Sequence, residues 1–219
     1  EKRLATMRNH TATHLLQAAM RQVLGEHVHQ KGSSVSPERL RFDFTHSSPV
    51  TDAQLHEIEA IVNAQSLADT PVVIHTDIPI AQAKERGAMA LFGEKYGDKV
   101  RMVEVGGFSL ELCGGTHLSH ASQVGLFKIV SETGVAAGVR RIEAVTGSGA
   151  VAYVNRKEET LTQLASLLKT NVHDVTTALE RLVNQNKELT LQVRQLKSGQ
   201  GVAQVAELQP TTISGVAVV

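Results

Sequence analysis

Two short motifs, far apart along the chain, each carry a pair of side chains that can ligate a metal ion. The first, H10-T-A-T-H14, holds two histidines four residues apart, and the second, C113-G-G-T-H117, holds the only cysteine of the protein. Three imidazoles and one thiolate form a soft nitrogen-and-sulfur donor set that suits Zn²⁺. If His10, His14, Cys113 and His117 share one ion, the fold must bring both motifs to the same point.

The composition is that of an ordinary globular protein and sets limits on the possible partners. The chain has 219 residues, of which 42% are hydrophobic and 20% charged, with a formal net charge of +0. A neutral balance argues against a general nucleic-acid binder, so any contact with RNA has to come from a local patch. Candidates for a phosphate-binding rim are Lys95, Lys99, Arg101, Arg140 and Arg141.

The cysteine content and the absence of long apolar runs indicate the cellular setting. A single cysteine cannot form an intrachain disulfide, which favours a reducing, cytoplasmic location. No apolar run is long enough to span a bilayer, and residues 1–8 contain no signal-peptide core, so we expect no membrane partner. The absence of an initiator Met and the strand-like last residues, 213–219, suggest a fragment of a longer protein.

The hydrophobic pattern up to about residue 150 predicts an α+β fold with a mainly antiparallel sheet and packed helices. A helix is predicted from Arg8 to about Gly25, which places His10 and His14 one turn apart on the same face. Alternating apolar residues predict strands at 40–45, 71–78, 100–105, 108–112, 126–130 and 139–145, and helices are predicted at 53–68 and 80–86. Cys113 directly follows one of these strands.

Two polar segments near the first motif allow more than one interpretation. The stretch Gln30–Val35 is polar and contains a glycine, so on composition it is predicted to be a surface turn. Thr11 and Thr13 lie between the helical histidines, where a hydroxyl commonly bonds back to the carbonyl four residues earlier. A role for these residues therefore cannot be assigned from composition alone.

The last third of the chain changes in character and is predicted to be helical. One helix is predicted from Tyr153 to about Lys169, and Asn171 is predicted to cap a second helix that ends at the glycines of 198–201. In the second helix, apolar residues recur with a strict 4-3 alternation, which is typical of a coiled-coil seam with Asn186 at one core position. Residues 172–198 could therefore self-associate, or pack on the preceding helix as an intramolecular hairpin.

Several long motifs together resemble the editing domain of bacterial alanyl-tRNA synthetases. They are M7-R-N-H-T-A-T-H-L-L16, H29-Q-K-G-S-S-V35, L40-R-F-D-F44, G87-A-M-A-L-F-G-E-K-Y-G-D98, L112-C-G-G-T-H117 and A137-G-V-R-R-I-E-A-V-T-G147. The resemblance implies an editing domain at residues 1–150, a helical coiled-coil segment at 151–200 and the truncated start of a C-terminal domain at 201–219.

The resemblance implies a hydrolase that removes serine or glycine from mischarged tRNA(Ala) by cleaving the ester to the terminal ribose. A pocket for alanine cannot strongly reject glycine or serine, so such a synthetase needs a second, corrective site. By the family pattern, His10, His14, Cys113 and His117 are the zinc ligands. The same pattern places Gln30 near the active site, where it would hold water or the ester, and Thr11 or Thr13 would read the serine hydroxyl.

One segment departs from the family pattern, and two other functions stay open. After C-G-G-T-H the family usually continues to T-G-D-I-G, whereas this chain has L118-S-H-A-S-Q-V-G125, with Ala121 in place of a threonine and Gln123 in place of an acid. His120 is predicted to be exposed. The chain could also be a free-standing AlaX-type trans-editing protein, or a non-catalytic tRNA-binding and dimerising module with a structural zinc.

Overall fold

The structure, a computed structural model, describes residues 1–90, 96–206, 211–214 and 216–218. Side chains are described for residues 1–90, 96–198 and Ser214. Lys95, one of the predicted basic residues, lies outside these ranges. The chain divides into two compact units, Glu1–Asn155 and Arg156–Val219, which are treated separately below. The predicted domain limits at residues 150 and 200 remain predictions.

The elements follow one another with helices and strands mixed along the first unit. In chain order they are α1 (Lys2–Leu24), β1 (Gln30–Val35), β2 (Leu40–Thr45), α2 (Asp52–Leu67), β3 (Val72–Pro79), α3 (Ile80–Glu85), β4 (Lys99–Val105), β5 (Ser109–Leu112), β6 (Phe127–Ala136), β7 (Val139–Thr146) and α4 (Gly147–Leu167). Helix α4 continues into the second unit, which also holds α5 (Val175–Ala206), β8 (Thr211–Ile213) and β9 (Val216–Val218).

The strands form antiparallel sheets, which confirms the predicted α+β class. One sheet has four strands in the order β1-β2-β7-β6, and a second has three in the order β3-β4-β5. Strands β8 and β9 pair as a hairpin. Strand β7 pairs antiparallel with β6 on one side and with β2 on the other. The four-stranded sheet therefore combines two strands from the start of the first unit with two from its end.

The main core lies between the four-stranded sheet and helices α1 and α2. Its largest fully buried side chains come from alternate positions of β2, from β6 and β7, and from one face of each helix. They include Phe42, Phe44, Phe127, Ile142, Leu15, Leu16, Met20 and Ile58. Helix α2 begins with a capping box: the Thr51 hydroxyl accepts from the Gln54 amide, and the Gln54 side chain accepts from the Thr51 amide.

Strand β4 is buried on both faces, and this arrangement aims part of β5 at α1. Val100 and Met102 pack with α3 in a small separate cluster, whereas Val103 and Val105 join the main core. Strand β5 pairs with β4 so that its alternate residues share these two faces. The face that points away from α3 therefore carries Ser109 and Glu111, whereas Leu110 and Leu112 pack in the cluster with α3.

The predicted surface turn at Gln30–Val35 is wrong, because this segment is strand β1. It pairs with β2 along its whole length, with a register irregularity between Gln30 and Gly32. Polar residues are accommodated because β1 is the edge of the sheet and all six of its side chains are half-buried or exposed. Composition misses such a strand, since the partner strand, and not its own hydrophobicity, holds it in place.

The ends of several helices and of one strand also differ from the sequence prediction. Helix α1 begins at Lys2 instead of Arg8, α4 begins at Gly147 instead of Tyr153, and β6 runs on to Ala136. The glycines at 199 and 201 do not end α5, which continues to Ala206. A glycine costs an exposed helix only about 1 kcal/mol relative to alanine, which an established helix can tolerate.

The second unit leaves the predicted seam uncovered. Asn171 caps the turn before α5 by accepting from the Asp174 amide, as the sequence indicates. The buried side chains described for this unit are Ala165 and Ala178, one before and one after that turn. The seam residues Leu179, Leu182, Leu189, Val193 and Leu196 are all about half exposed or more. Among the described residues, no helix is long and apolar enough to cross a membrane.

Candidate metal centre

The fold brings the two motifs together at one point. The candidate ligand atoms of His10, His14, Cys113 and His117 all lie within 4.8 Å of one another. Cys113 Sγ is 3.4 Å from His10 Nε2 and 3.3 Å from His117 Nε2. Tetrahedral zinc with ordinary Zn–N and Zn–S bonds would set such N···S distances at about 3.6 Å. The four side chains are thus spaced as ligands of one ion.

Each histidine directs its other ring nitrogen away from the centre, toward an oxygen atom. His10 Nδ1 lies 3.3 Å from the Thr116 carbonyl oxygen, and His117 Nδ1 lies 3.2 Å from the Thr11 hydroxyl. Metal-bound histidines in proteins usually donate their second ring N–H to an oxygen in this way, which fixes the ring orientation. The arrangement therefore fits coordination through Nε2.

The same enclosure keeps the imidazoles neutral, which is the form that binds metals. Burial is the main cause that lowers the pKa of His14 to about 3, and the neighbouring His10 contributes to the same shift. Burial is also the main cause of the lowered pKa of His117, followed by the nearby His14 and His10. For His10 burial again lowers the pKa, while the Thr116 carbonyl acts in the opposite direction.

His14 has a buried carboxyl group as its neighbour, Glu111, which sequence reasoning missed. His14 Nδ1 lies 3.1 Å from Glu111 Oε2, although the contact is too bent to count as a regular hydrogen bond. Burial raises the pKa of Glu111 to about 8, so without a metal the two groups meet as neutral partners. The signal was present: Glu111 lies two residues before Cys113, and so on the same face of its strand.

The loop of the second motif depends on a glycine that packs directly against a ligand. A Cβ atom added at Gly115 would lie 2.1 Å from Cε1 of His10, far inside contact distance. A Cβ added at Gly114 would meet nothing within 4 Å. Arg101 holds the start of the loop by donating to the Cys113 carbonyl at 2.6 Å, while its own carbonyl accepts from the Cys113 amide.

The centre has one accessible side. His14 and His117 are buried, whereas His10 and Cys113 are partly exposed. A ligand from solvent would therefore approach past His10 and Cys113. A cleft of about 600 Å³ lies elsewhere, lined in part by Ala18 and Arg21 of α1 and by Ser109. None of the four candidate ligands lines that cleft.

The predicted polar residues take different places around the centre. The hydroxyl of Thr11, which is fully buried, accepts from the Leu118 amide and contacts His117, so Thr11 joins α1 to the loop. Thr13 donates to the Asn9 carbonyl four residues earlier. Gln30 donates to the Ser33 hydroxyl, and no hydrogen bond joins it to the four ligands within the described part of the chain.

The predicted basic rim is smaller in the structure than in the sequence. Arg140 makes two hydrogen bonds to Glu132, at 2.5 and 2.6 Å, and Arg141 makes two to Asp43, at 2.7 and 2.8 Å. These bidentate pairs largely neutralise both guanidinium groups. Arg101 lies beside the centre, where its charge contributes to the lowered pKa of each histidine.

The unusual segment 118–125 keeps an ordered structure. The side-chain oxygen of Gln123 accepts from the Ser119 amide and hydroxyl and from the His120 amide, a role that a carboxylate could also fill. Ala121 is fully buried and His120 is exposed, as predicted for His120. The departure from the family pattern is therefore compatible with a well-formed loop beside the ligands.

Substitution of Gly115 should weaken metal binding selectively. We expect Gly115→Ala to lower the affinity for added Zn²⁺ by about tenfold or more, because the new methyl group displaces the His10 ring. Competition against a chromophoric chelator measures this. Gly114→Ala is the matched control and should bind like the unmodified chain; equal affinities of the two variants would contradict the geometry.

Known proteins resemble the chain over nearly its whole length. Residues 100–143 match the family model for the threonyl and alanyl tRNA synthetase second additional domain. Alanine–tRNA ligase of Listeria monocytogenes is 51% identical over 100% of the chain, and those of Desulforamulus reducens and Pseudomonas syringae are 50% and 54% identical over 94% and 90%. The chain spans about a quarter of the length of these relatives, 25%, 24% and 23% respectively.

These matches confirm the resemblance drawn from the motifs. They extend over the metal-centre unit and also over the helical segment that follows it. The matched family domain contains Cys113 and His117, and the relatives carry the name of an enzyme that acts on tRNA. The chain matches a segment of bacterial alanyl-tRNA synthetase, and this segment includes the second additional domain that threonyl and alanyl tRNA synthetases share.

Proposed function

We propose that this chain is the editing part of an alanyl-tRNA synthetase, a zinc-dependent hydrolase of Ser-tRNA(Ala) and Gly-tRNA(Ala). The observation that carries the proposal is the convergence of three imidazoles and one cysteine sulfur, with the outward nitrogens of His10 and His117 placed against oxygen atoms. This donor set suits zinc better than harder metals. The synthetase relationship supplies the substrate class, and the cytoplasm is the expected location.

The half-exposed side of the centre favours a catalytic over a purely structural metal. A zinc ion held by the four residues would polarise the ester carbonyl or lower the pKa of an attacking water. His14 and His117 anchor the site from the buried side, and His10 and Cys113 border the open side. A long polymer such as tRNA can present its 3′ end to an open surface site without entering a deep pocket.

Arg101 adds positive charge where a tRNA end would arrive. It is partly buried, fixed by its bond to the Cys113 carbonyl, and close enough to affect all three histidines. A cation at this place suits the phosphate next to the terminal ribose or the negative charge that develops on the ester oxygen. We assign Arg101 to substrate binding on this basis.

The polar residues named from the sequence have proposed roles of different kinds. The hydrogen bonds that Thr11 and Thr13 already make indicate that these residues stabilise α1 and the position of His117. To recognise the hydroxyl of a bound serine, either threonine would have to exchange one of these hydrogen bonds for one to the substrate. Gln30 lies on the edge strand β1, half-buried, with an amide that can hold water or the ester. Discrimination against Ala-tRNA follows if the site must hydrogen-bond a hydroxyl that alanine lacks.

Loss of the thiolate should abolish editing. We expect Cys113→Ala to slow hydrolysis of Ser-tRNA(Ala) by about 100-fold or more, the equivalent of about 3 kcal/mol of transition-state stabilisation. Release of serine from charged tRNA, before and after chelation, measures this, and Ala-tRNA(Ala) should be spared. His120→Ala, an exposed neighbour, is the matched control and should retain activity.

Two outcomes of that experiment would contradict the proposal. Full activity of the Cys113→Ala protein would exclude a catalytic metal centre. No hydrolysis by the unmodified chain with one tightly bound zinc would favour the alternative function, a tRNA-binding module with a structural metal. Circular dichroism of both variants should show unchanged helicity, because Cys113 lies outside the helices.

We also propose that α5 mediates self-association with a second copy. Helix α5 has 32 residues, which corresponds to about 48 Å, and its seam stays exposed: Leu189 is 59% and Leu196 66% accessible. An intramolecular hairpin would have to cover this seam, and α4 leaves it open in the described side chains. Asn186 at a core position suits a two-stranded pairing.

Substitutions on two faces of α5 distinguish self-association through the seam from non-specific hydrophobic association. We expect the unmodified chain to dimerise with rising concentration in analytical ultracentrifugation, and Leu189→Glu to abolish dimerisation by placing a charge in the seam. Leu191→Glu is the matched control, because Leu191 is similarly exposed, at 57%, but lies off the seam. A monomer at all concentrations, or equal effects of both substitutions, would contradict self-association through α5.

A further inference from the structure

We propose that Glu111 is a positioning residue that fixes the ring orientation and tautomer of His14 in the metal centre. The inference rests on the proposed metal centre and adds a residue that the four-ligand motif does not contain. It concerns the buried side of the centre, where His14 and Glu111 are 4% and 5% exposed. A group held there acts on the ligand and not on the substrate.

The contact pattern of the three histidines carries the inference. Each presents Nδ1 to an oxygen: His10 to the Thr116 carbonyl at 3.3 Å, His117 to the Thr11 hydroxyl at 3.2 Å, and His14 to Glu111 Oε2 at 3.1 Å. His14 Nδ1 makes no regular hydrogen bond within the described part of the chain, and the oxygen placed beside it is Glu111 Oε2. Glu111 is therefore the group available to hold the second ring nitrogen of His14.

The surroundings of Glu111 fix its carboxyl group in this place. Glu111 lies opposite Val103 in the pairing of β4 and β5, on the face that points toward α1. The hydroxyl of Ser109 lies 3.3 Å from its other oxygen, Oε1. One strand thus supplies both the ligand Cys113 and, two residues earlier, the partner of the ligand His14 on α1.

The physical role follows from the two nitrogens of an imidazole. A neutral histidine carries one proton, and a hydrogen bond from Nδ1–H leaves the lone pair of Nε2 free for a metal. Without an acceptor at Nδ1, His14 could populate the other tautomer or a rotated ring, and both bind metal less well. Removal of such partners typically weakens metal binding about 10- to 100-fold.

The test compares Glu111→Gln and Glu111→Leu with a matched control. Glu104→Gln removes a carboxylate from the adjacent strand that also contacts a histidine, since Glu104 Oε2 lies 2.8 Å from His75 Nε2, outside the centre. Zinc affinity is measured by competition with a chromophoric chelator. The tautomer of His14 is read from long-range ¹H–¹⁵N spectra of the zinc-loaded chain, a signal that general destabilisation would not change.

We expect about 100-fold weaker zinc binding for Glu111→Leu and about tenfold for Glu111→Gln, whose amide oxygen can still accept from Nδ1–H. Glu104→Gln should bind zinc like the unmodified chain. Glu111→Gln is nearly isosteric with the native residue, so it decides the test if Glu111→Leu fails to fold. Unchanged affinity and an unchanged His14 tautomer in the Glu111 variants would overturn the inference.

The outcome is distinguishable from failure of the metal centre itself. If the unmodified chain binds no zinc, the proposed function loses its metal, whatever the Glu111 variants do. If the unmodified chain binds zinc with three nitrogens and one sulfur and the Glu111 variants bind it equally well, only the positioning role is wrong. A weaker affinity with an altered His14 signal, beside a normal Glu104→Gln protein, establishes the role.

Discussion

Helix α1 packs between the main core and the loop after β5, and the geometry of the metal centre depends on this packing. One face of α1 buries Leu15, Leu16 and Met20 against the sheet, while the opposite side buries polar groups that must find partners. Asn9 donates to the Ser36 carbonyl and accepts from Thr146, and Thr11 accepts from the Leu118 amide. These bonds hold α1 in one rotation, and that rotation aims both of its histidines at the second motif.

Part of this arrangement could be predicted from local patterns. Spacing placed His10 and His14 on one helix face, alternation identified β2, β4, β5 and β7, and the chemistry of the donor set predicted one shared site. The convergence of the two motifs depends on tertiary packing, which no local pattern encodes. Strand β1 was missed because its pairing to β2, not its polar sequence, makes it a strand. Glu111 was missed because an acidic residue on a strand is usually exposed, and only the fold buries it.

The electrostatics of the centre explain how a chain with a formal net charge of +0 can form a site for a cation. Burial keeps all three imidazoles unprotonated, so their lone pairs are available at neutral pH without competition from protons. The outward nitrogens of His10 and His117 lie within hydrogen-bond distance of a carbonyl and a hydroxyl group, and that of His14 lies 3.1 Å from a carboxyl oxygen. The one partly open side, at His10 and Cys113, leaves room for chemistry on a ligand from solvent.

The most direct test of the central claim is the coordination shell of zinc bound to the intact chain. Zinc K-edge X-ray absorption of protein loaded with one equivalent of metal should show about three nitrogen neighbours at about 2.0–2.1 Å and one sulfur at about 2.3 Å. An additional light neighbour from water would agree with an open side. A shell without sulfur, or one made of oxygen atoms alone, would contradict a single centre built from His10, His14, Cys113 and His117.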